Sequence, residues 1–332
     1  MIVRWGVIGA GGVANRRGMP AINIAEGNKL HALMVRDIER AKKLAIEHGA
    51  KAYYNSIEDL LSDDQIDAVH IATPVYLHCE HVILSAEHGK HILCEKPMAM
   101  NVNECQSMID ACKSNGVMLQ VCFLLRFHSC FQEIKKLIDD GMLGEIVEAR
   151  VALLKSYNIE EGVWRRDPEK SGGGVLMDMG AHAIDLISYL LGDVSEVCMF
   201  SSSKFKKWEV EDTATVMLKM KNCANAIADM SYAVPFSEST LEIYGTEGTI
   251  IAYSGKGYQE YKLKIYTKDI EKEESKPSEN LYKNLFEHYS RCLNDEEEPL
   301  ASGTSGLINI EIINSAYESA KVGKNIKIAN YG

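Results

Sequence analysis

Val3-Arg4-Trp5-Gly6-Val7-Ile8-Gly9-Ala10-Gly11-Gly12-Val13-Ala14 opens the chain with a short, largely apolar run that stops at a glycine-rich turn. The run reads as a strand and the residues after the turn, near 12–26, as a helix. In that context Gly9 permits a tight turn, Gly11 lets the backbone approach a pyrophosphate, and Ala14 takes the third, helix-packing position. Amide groups at the helix N-terminus would face the phosphates. Gly9, Ala10, Gly11, Gly12, Val13 and Ala14 are therefore expected to hold a dinucleotide, with an ordinary strand–helix loop as the alternative.

The same rhythm continues outward from this turn. Strand candidates at 30–35, 68–72, 91–94 and 117–121 are separated by helical patterns at 37–48, 56–61, 78–88 and 103–115, three of them closed by Gly49, Gly89 and Gly116. Strands alternating with helices of this length predict parallel βαβ units with right-handed crossovers. After about residue 124 the rhythm changes. A helix at 129–140 and an alternating strand at 145–155 lead to a glycine run at 172–174 and a helix over 175–191. Strand-like stretches follow near 194–205, 211–220, 223–234, 239–245, 248–253 and 260–267, and short turns between them predict antiparallel pairing. The charged segment 268–280 reads as a solvated loop, 304–322 as a final helix and 325–329 as a short strand. The reading is an α/β chain with a dinucleotide-binding domain at 1–123 and a second α/β domain, for substrate and oligomerisation, at 124–332.

With 332 residues, 46% of them hydrophobic, the chain can bury a core for two domains. Its net charge of −11 argues against a general nucleic-acid surface. Nine cysteines with no CxxC spacing read as free thiols in a reducing cytoplasm, and no metal-ligand spacing is present. No apolar run is read as reaching the roughly 20 residues that cross a bilayer, and no signal peptide is expected before the first strand. A cytoplasmic protein without membrane or nucleic-acid partners is expected.

Three further stretches carry chemistry. At the end of the second strand Val35 stands where a ribose-binding acid is usual, and Arg36 and Arg40 could pair with a 2′-phosphate, so NADP(H) is favoured over NAD(H), with Asp37 counting against it. Cys94-Glu95-Lys96-Pro97 closes a strand at the edge where open α/β sheets bind ligands, and Lys96 could reach substrate as a cationic donor. Asp178 and His182, four apart, would share one face of a helix and act as a general acid/base pair. The adjoining Gly172-Gly173-Gly174 would let backbone approach a ligand. Asp185 reads as a supporting group.

In order, GAGGVA at 9–14, ATPVYLH at 72–78, CEKP at 94–97, SGGGVLMDMGAHAIDL at 171–186, EIYGTEGTI at 242–250 and LYKNLFEH at 281–288 resemble the Gfo/Idh/MocA oxidoreductase family over nearly the whole chain. The resemblance implies a Rossmann doubly wound domain followed by a domain with a large, open, mostly antiparallel sheet, which would make a homodimer or homotetramer. It implies hydride exchange between NAD(P) and a sugar, inositol or related cyclic polyol. Lys96 would then bond the reacting oxygen, His182 would move the proton, and Asp178 would bind substrate or support His182. Thr73, Pro74, His78 and Glu95 would line the cofactor, with Arg165 beside them, while Arg126, Tyr157 and Trp164 would face substrate. A dihydrodiol dehydrogenase-like enzyme and a catalytically silent NAD(P) sensor are the alternatives on the same fold.

Overall fold

The computed structural model describes residues 2–254 and 260–329. The chain divides into two compact units, one made of 1–124 and 280–307, the other of 125–279 and 308–332. The first boundary falls at the change of rhythm noted in the sequence. Segment 280–307, which the sequence reading places in the second domain, packs with the first.

The first unit is a six-stranded sheet of β1 (Val3–Ile8), β2 (Asn28–Met34), β3 (Ala52–Tyr54), β4 (Ala68–Ile71), β5 (His91–Cys94) and β6 (Leu119–Val121). The spatial order is β3-β2-β1-β4-β5-β6 and every neighbouring pair is parallel. This is the doubly wound order of the Rossmann fold, in which ligands bind beyond the strands' carboxyl ends where the winding reverses, here between β1 and β4. Its helices have legible stops. Asp37 caps Ile38–His48 through the Arg40 amide, and Gly49 ends that helix in the left-handed region at φ 71°. Asn101 caps Val102–Ser114 in the same manner.

The returning helix, Leu281–Leu293, completes this core. Trp5 is fully buried, with Phe286 at 4.9 Å and Tyr289 at 4.8 Å between ring centroids. The Trp5 indole donates to Asn28 Oδ1 at 2.7 Å, and Ser290 donates to the same oxygen at 2.8 Å. A helix was not expected there.

The second unit holds a nine-stranded sheet built from β7 (Ile146–Leu154), β8 (Val194–Ser202), β9 (Thr213–Met220), β10 (Asn225–Ser231), β11 (Ser239–Gly245), β12 (Gly248–Ser254), β13 (Tyr261–Thr267), β14 (Glu271–Lys276) and β15 (Ile326–Lys327). The order is β14-β13-β12-β11-β7-β10-β9-β8-β15, antiparallel except for the β7–β10 pair. Alternating burial, as in β9, leaves one face packed and the other more exposed. Segment 268–280, expected as a loop, contains the edge strand β14. Its glutamates and lysines suit an edge that must not pair with another chain, and they are what hid it from hydropathy.

Residues 168–191 are long and apolar enough to cross a membrane, with a mean hydropathy of 1.3 over their most apolar 18-residue window. This corrects the reading that no such run exists. The window is 78% buried within the protein, as a core helix is.

Candidate active site

In the first unit the glycine turn has the geometry its sequence demands. Gly9 has φ +81° and Gly12 φ +45°, conformations that side chains resist. The amides of Gly9 and Ala10 both donate to Met34 O at 3.1 Å, which ties the turn to the end of β2. A Cβ on Gly9 would lie 2.7 Å from the Thr73 methyl, so the turn after β1 sits against the turn after β4, at the reversal of the sheet. A helical run follows, containing a π-turn at Ala14–Gly18, with Ala14 buried and Val13 half-buried at its start. Gly12 is exposed, and nothing would obstruct a Cβ there.

Arg40 comes back over this turn. Its guanidinium would lie 3.1 Å from a Cβ on Gly11, while Arg36 is exposed just before the helix. Asp37, which clouds the sequence reading, has a structural role: its Oδ1 accepts the Arg40 amide at 3.1 Å as the helix cap. The glycine cradle, the helix start and Arg40 together fit a dinucleotide.

At the ends of β4 and β5 the sequence-predicted residues divide by role. Thr73 and Pro74 are half-buried beside Gly9. The Thr73 hydroxyl meets His81 Nδ1 at 3.0 Å. His78 is almost wholly buried, with Nε2 2.9 Å from Thr73 O and Nδ1 3.0 Å from Pro97 O and 3.2 Å from Met98 O. Burial lowers its pKa against the pull of these carbonyls and of Glu95. The ring lies between the Thr73 turn and the peptide after Lys96, and in its neutral form donates its single N–H to one of the two. Lys96 is half-buried and its bond to Pro97 is cis. Glu95 is buried and accepts from Tyr282 at 2.7 Å, with His70 Nε2 3.2 Å away on the same oxygen. Burial alone would raise its carboxyl; His70, Tyr282 and Lys96 outweigh it and hold the group below the ordinary value.

In the second unit Asp178 lies in a π-turn, Leu176–Gly180, that leads into the α-helix Ala181–Leu191 carrying His182 and Asp185. The regular i, i+4 α-helical face expected for Asp178 and His182 is thus replaced by a widened turn, a feature frequent at functional sites. Asp178 accepts a hydrogen bond from the Tyr232 hydroxyl. Burial first, and the Asp178 carboxylate second, push that phenol well above its usual pKa. Around Tyr232 gather Tyr157 at 5.5 Å and Trp208 at 5.9 Å between centroids, with Lys155 Nζ 4.9 Å from the Tyr157 ring. Tyr157 is 42% exposed. Arg165, also exposed, stacks over Trp164 at 4.4 Å and exerts its charge on Tyr232.

Two expectations for this unit are revised. The triple glycine makes room for the chain itself. A Cβ on Gly174 would fall 1.9 Å from Glu211 O, and one on Gly173 would fall 1.9 Å from the Tyr317 hydroxyl. The Glu211 carboxylate accepts from the Gly174 and Leu176 amides at 2.8 and 2.9 Å and from Tyr317 at 2.8 Å, serving as a cap. Arg126 is buried and grips Asp185, with Nη2–Oδ1 at 2.7 Å and Nε within 3.1 Å of both oxygens. Tyr232, Glu211, His70 and Tyr282 escaped the sequence reading, since each is joined to its partner only by the fold. All nine cysteines are free.

Residues 3–123 match the model of an oxidoreductase family with an NAD-binding Rossmann fold, and 131–251 match the GFO/IDH/MocA C-terminal domain. The chain is 28% identical over 331 residues to a 1,5-anhydro-D-fructose reductase of Ensifer adhaerens, covering 98% of each. Among solved structures it is similar to an aldose-aldose oxidoreductase of Caulobacter crescentus complexed with glycerol, at TM-score 0.91 and 27% identity over 99% of this chain and 100% of that one. An oxidoreductase of Agrobacterium radiobacter, in complex with NAD+, L-tartaric acid and magnesium, gives TM-score 0.88 and 26% identity over 98% of each. With a doubly wound sheet, its glycine cradle and a mostly antiparallel second sheet in place, this chain belongs to the Gfo/Idh/MocA family of oxidoreductases.

Proposed function

We propose that this oxidoreductase interconverts a ketone and a secondary alcohol on a sugar, inositol or related cyclic polyol, with NADP(H) preferred over NAD(H). The observation that carries the reading is the contact of the Gly9 turn with Thr73 at the switch point of the parallel sheet, with Glu95-Lys96 just past the end of the next strand along. The relatives' sugar and anhydrosugar names support the substrate class. Residues 9–14 would hold the pyrophosphate and Arg36 and Arg40 a 2′-phosphate, with Thr73, Pro74 and Arg165 completing the cofactor site and His78 and Glu95 shaping it.

The bound nicotinamide supplies or accepts the hydride. Lys96 donates a hydrogen bond to the reacting oxygen and stabilises charge that develops on it. His182 delivers or removes the proton at that oxygen. Asp178, fixed by Tyr232, binds substrate hydroxyls or supports the imidazole. Tyr157 and Trp164 offer aromatic faces to the sugar, and Arg126 enters through its grip on Asp185.

The test is a screen of NADPH and NADH oxidation across keto-sugars and inosones, run in both directions. Lys96→Ala and His182→Ala should each lower turnover by roughly 10²–10⁴-fold. Arg36→Ala with Arg40→Ala should weaken NADPH by about 10- to 100-fold and spare NADH. Full activity in the first two variants, or indifference to the arginines, overturns the corresponding assignment.

The second sheet's more exposed face carries Phe200, 72% exposed, and Met217, 52% exposed, on neighbouring strands. We propose that it joins copies of the chain into a homodimer or homotetramer. Light scattering should show an oligomer that Phe200→Glu with Met217→Glu reduces to monomers; a monomeric parent protein refutes it. The free cysteines support a reducing cytoplasm as its place of work.

A further inference from the structure

Beneath the glycine turn lies a buried polar cluster of which the proposed function uses only Glu95. His70 on β4 is fully buried, as is Cys122 just after β6; Glu95 follows β5, and Tyr282 stands on the returning helix, 4% exposed. One carboxylate oxygen, Glu95 Oε1, gathers two of them, with the Tyr282 hydroxyl at 2.7 Å and His70 Nε2 at 3.2 Å. The Cys122 sulfur is 4.0 Å from the same imidazole nitrogen. The His70 ring is locked from above and from the side. A Cβ on Gly18 would lie 2.8 Å from its Cε1, so the helix that follows the glycine turn rests on it, and Phe286 meets it edge-on at 5.6 Å.

A buried carboxylate is costly unless its lone pairs are occupied. Here the donors come from two separate elements and converge on the residue immediately before Lys96. We propose that Tyr282 and His70 are positioning residues: by fixing Glu95 as an ordered carboxylate they orient the Glu95-Lys96-Pro97 peptide and with it the Lys96 ammonium. The inference rests on the role given to Lys96 above. Tyr282 acts across the fold, from 187 residues further along the chain than Glu95. Its ring is already placed by packing, so the hydroxyl is the part spent on Glu95.

His70, Glu95 and Cys122 also offer one nitrogen, one oxygen and one sulfur within 4.8 Å of one another, a set that a divalent metal could take. The hydrogen-bond reading is favoured because Glu95 Oε1 already accepts from Tyr282. Further, His70 Nδ1 has no hydrogen-bond partner among the described residues, whereas a metal-bound imidazole almost always anchors its second nitrogen.

A double-mutant cycle tests the proposal in the full-length enzyme. Tyr282→Phe should lower kcat about tenfold while KM for the sugar changes less than about threefold. His70→Leu should act in the same direction, and His70→Gln, which restores an N–H donor, should recover most of the loss. If the effect passes through Lys96, Tyr282→Phe costs nothing more in the Lys96→Ala background. An equal loss in both backgrounds overturns the proposal while leaving Lys96 in its role. Undiminished turnover in Lys96→Ala removes the role and the inference together. If Tyr282→Phe fails to fold, the His70→Leu and His70→Gln pair decides by itself: equal losses in both overturn the proposal. One zinc per purified chain by elemental analysis, lost in Cys122→Ser, would overturn it in favour of a metal centre.

Discussion

His81 shows how a single side chain ties the nucleotide turn to pH. Burial, with His78 adding to it, lowers its pKa to about 4. An unfolded histidine titrates near 6.5. As pH falls, the unfolded chain therefore takes up the proton first, so the stability supplied by neutral His81 is complete above about pH 6.5 and is lost as pH drops through about 4. His78 is shifted in the same direction. The melting temperature should fall between pH 6.5 and 4, and His81→Asn should flatten that slope relative to the parent; parallel profiles would refute the linkage. At this scale Lys96, Asp178 and His182 stand out in the sequence because their neighbours form compact motifs. Tyr232 does not, because the carboxylate it bonds is 54 residues away.

Helices and strands were legible where hydropathy has one period and the ends carry caps. The βαβ series at 3–121 follows from that, apart from the three-residue β3. Two further elements were lost, for opposite reasons. β14 is charged on both faces, so no period of two survives in its hydropathy. Leu281–Leu293 has a strong apolar stripe, but it follows a charged stretch and its packing partner, Trp5, lies at the other end of the chain. The glycine run before the π-turn is the case in which the right residues suggested the wrong neighbour. Gly174→Ala forces a methyl group against Glu211 backbone and should cost about 1–3 kcal/mol, seen as a lower melting temperature. Were the glycine there for a ligand, the variant would keep its stability and lose only substrate affinity.

For the molecule as a whole, the decisive fact is that each compact unit is assembled from two separated stretches of chain. Sequence order alone suggested one cut; the helix 281–293 belongs to the core that residue 5 begins. A fragment ending at residue 124 exposes Trp5 where Phe286 and Tyr289 should be, and it should lack a cooperative thermal transition. Adding a peptide of residues 280–307 should restore one. Cooperative melting of the fragment by itself would disprove the dependence. The return also sets a timetable for biosynthesis. About 160 residues must be translated after the sixth strand before the Trp5 side of the sheet can close, which at roughly 5–20 residues per second is on the order of 10 to 30 s. During that interval the nascent nucleotide-binding half presents an open aromatic face. Its rescue depends on translation reaching the helix 281–293 or on a chaperone shielding that face until then.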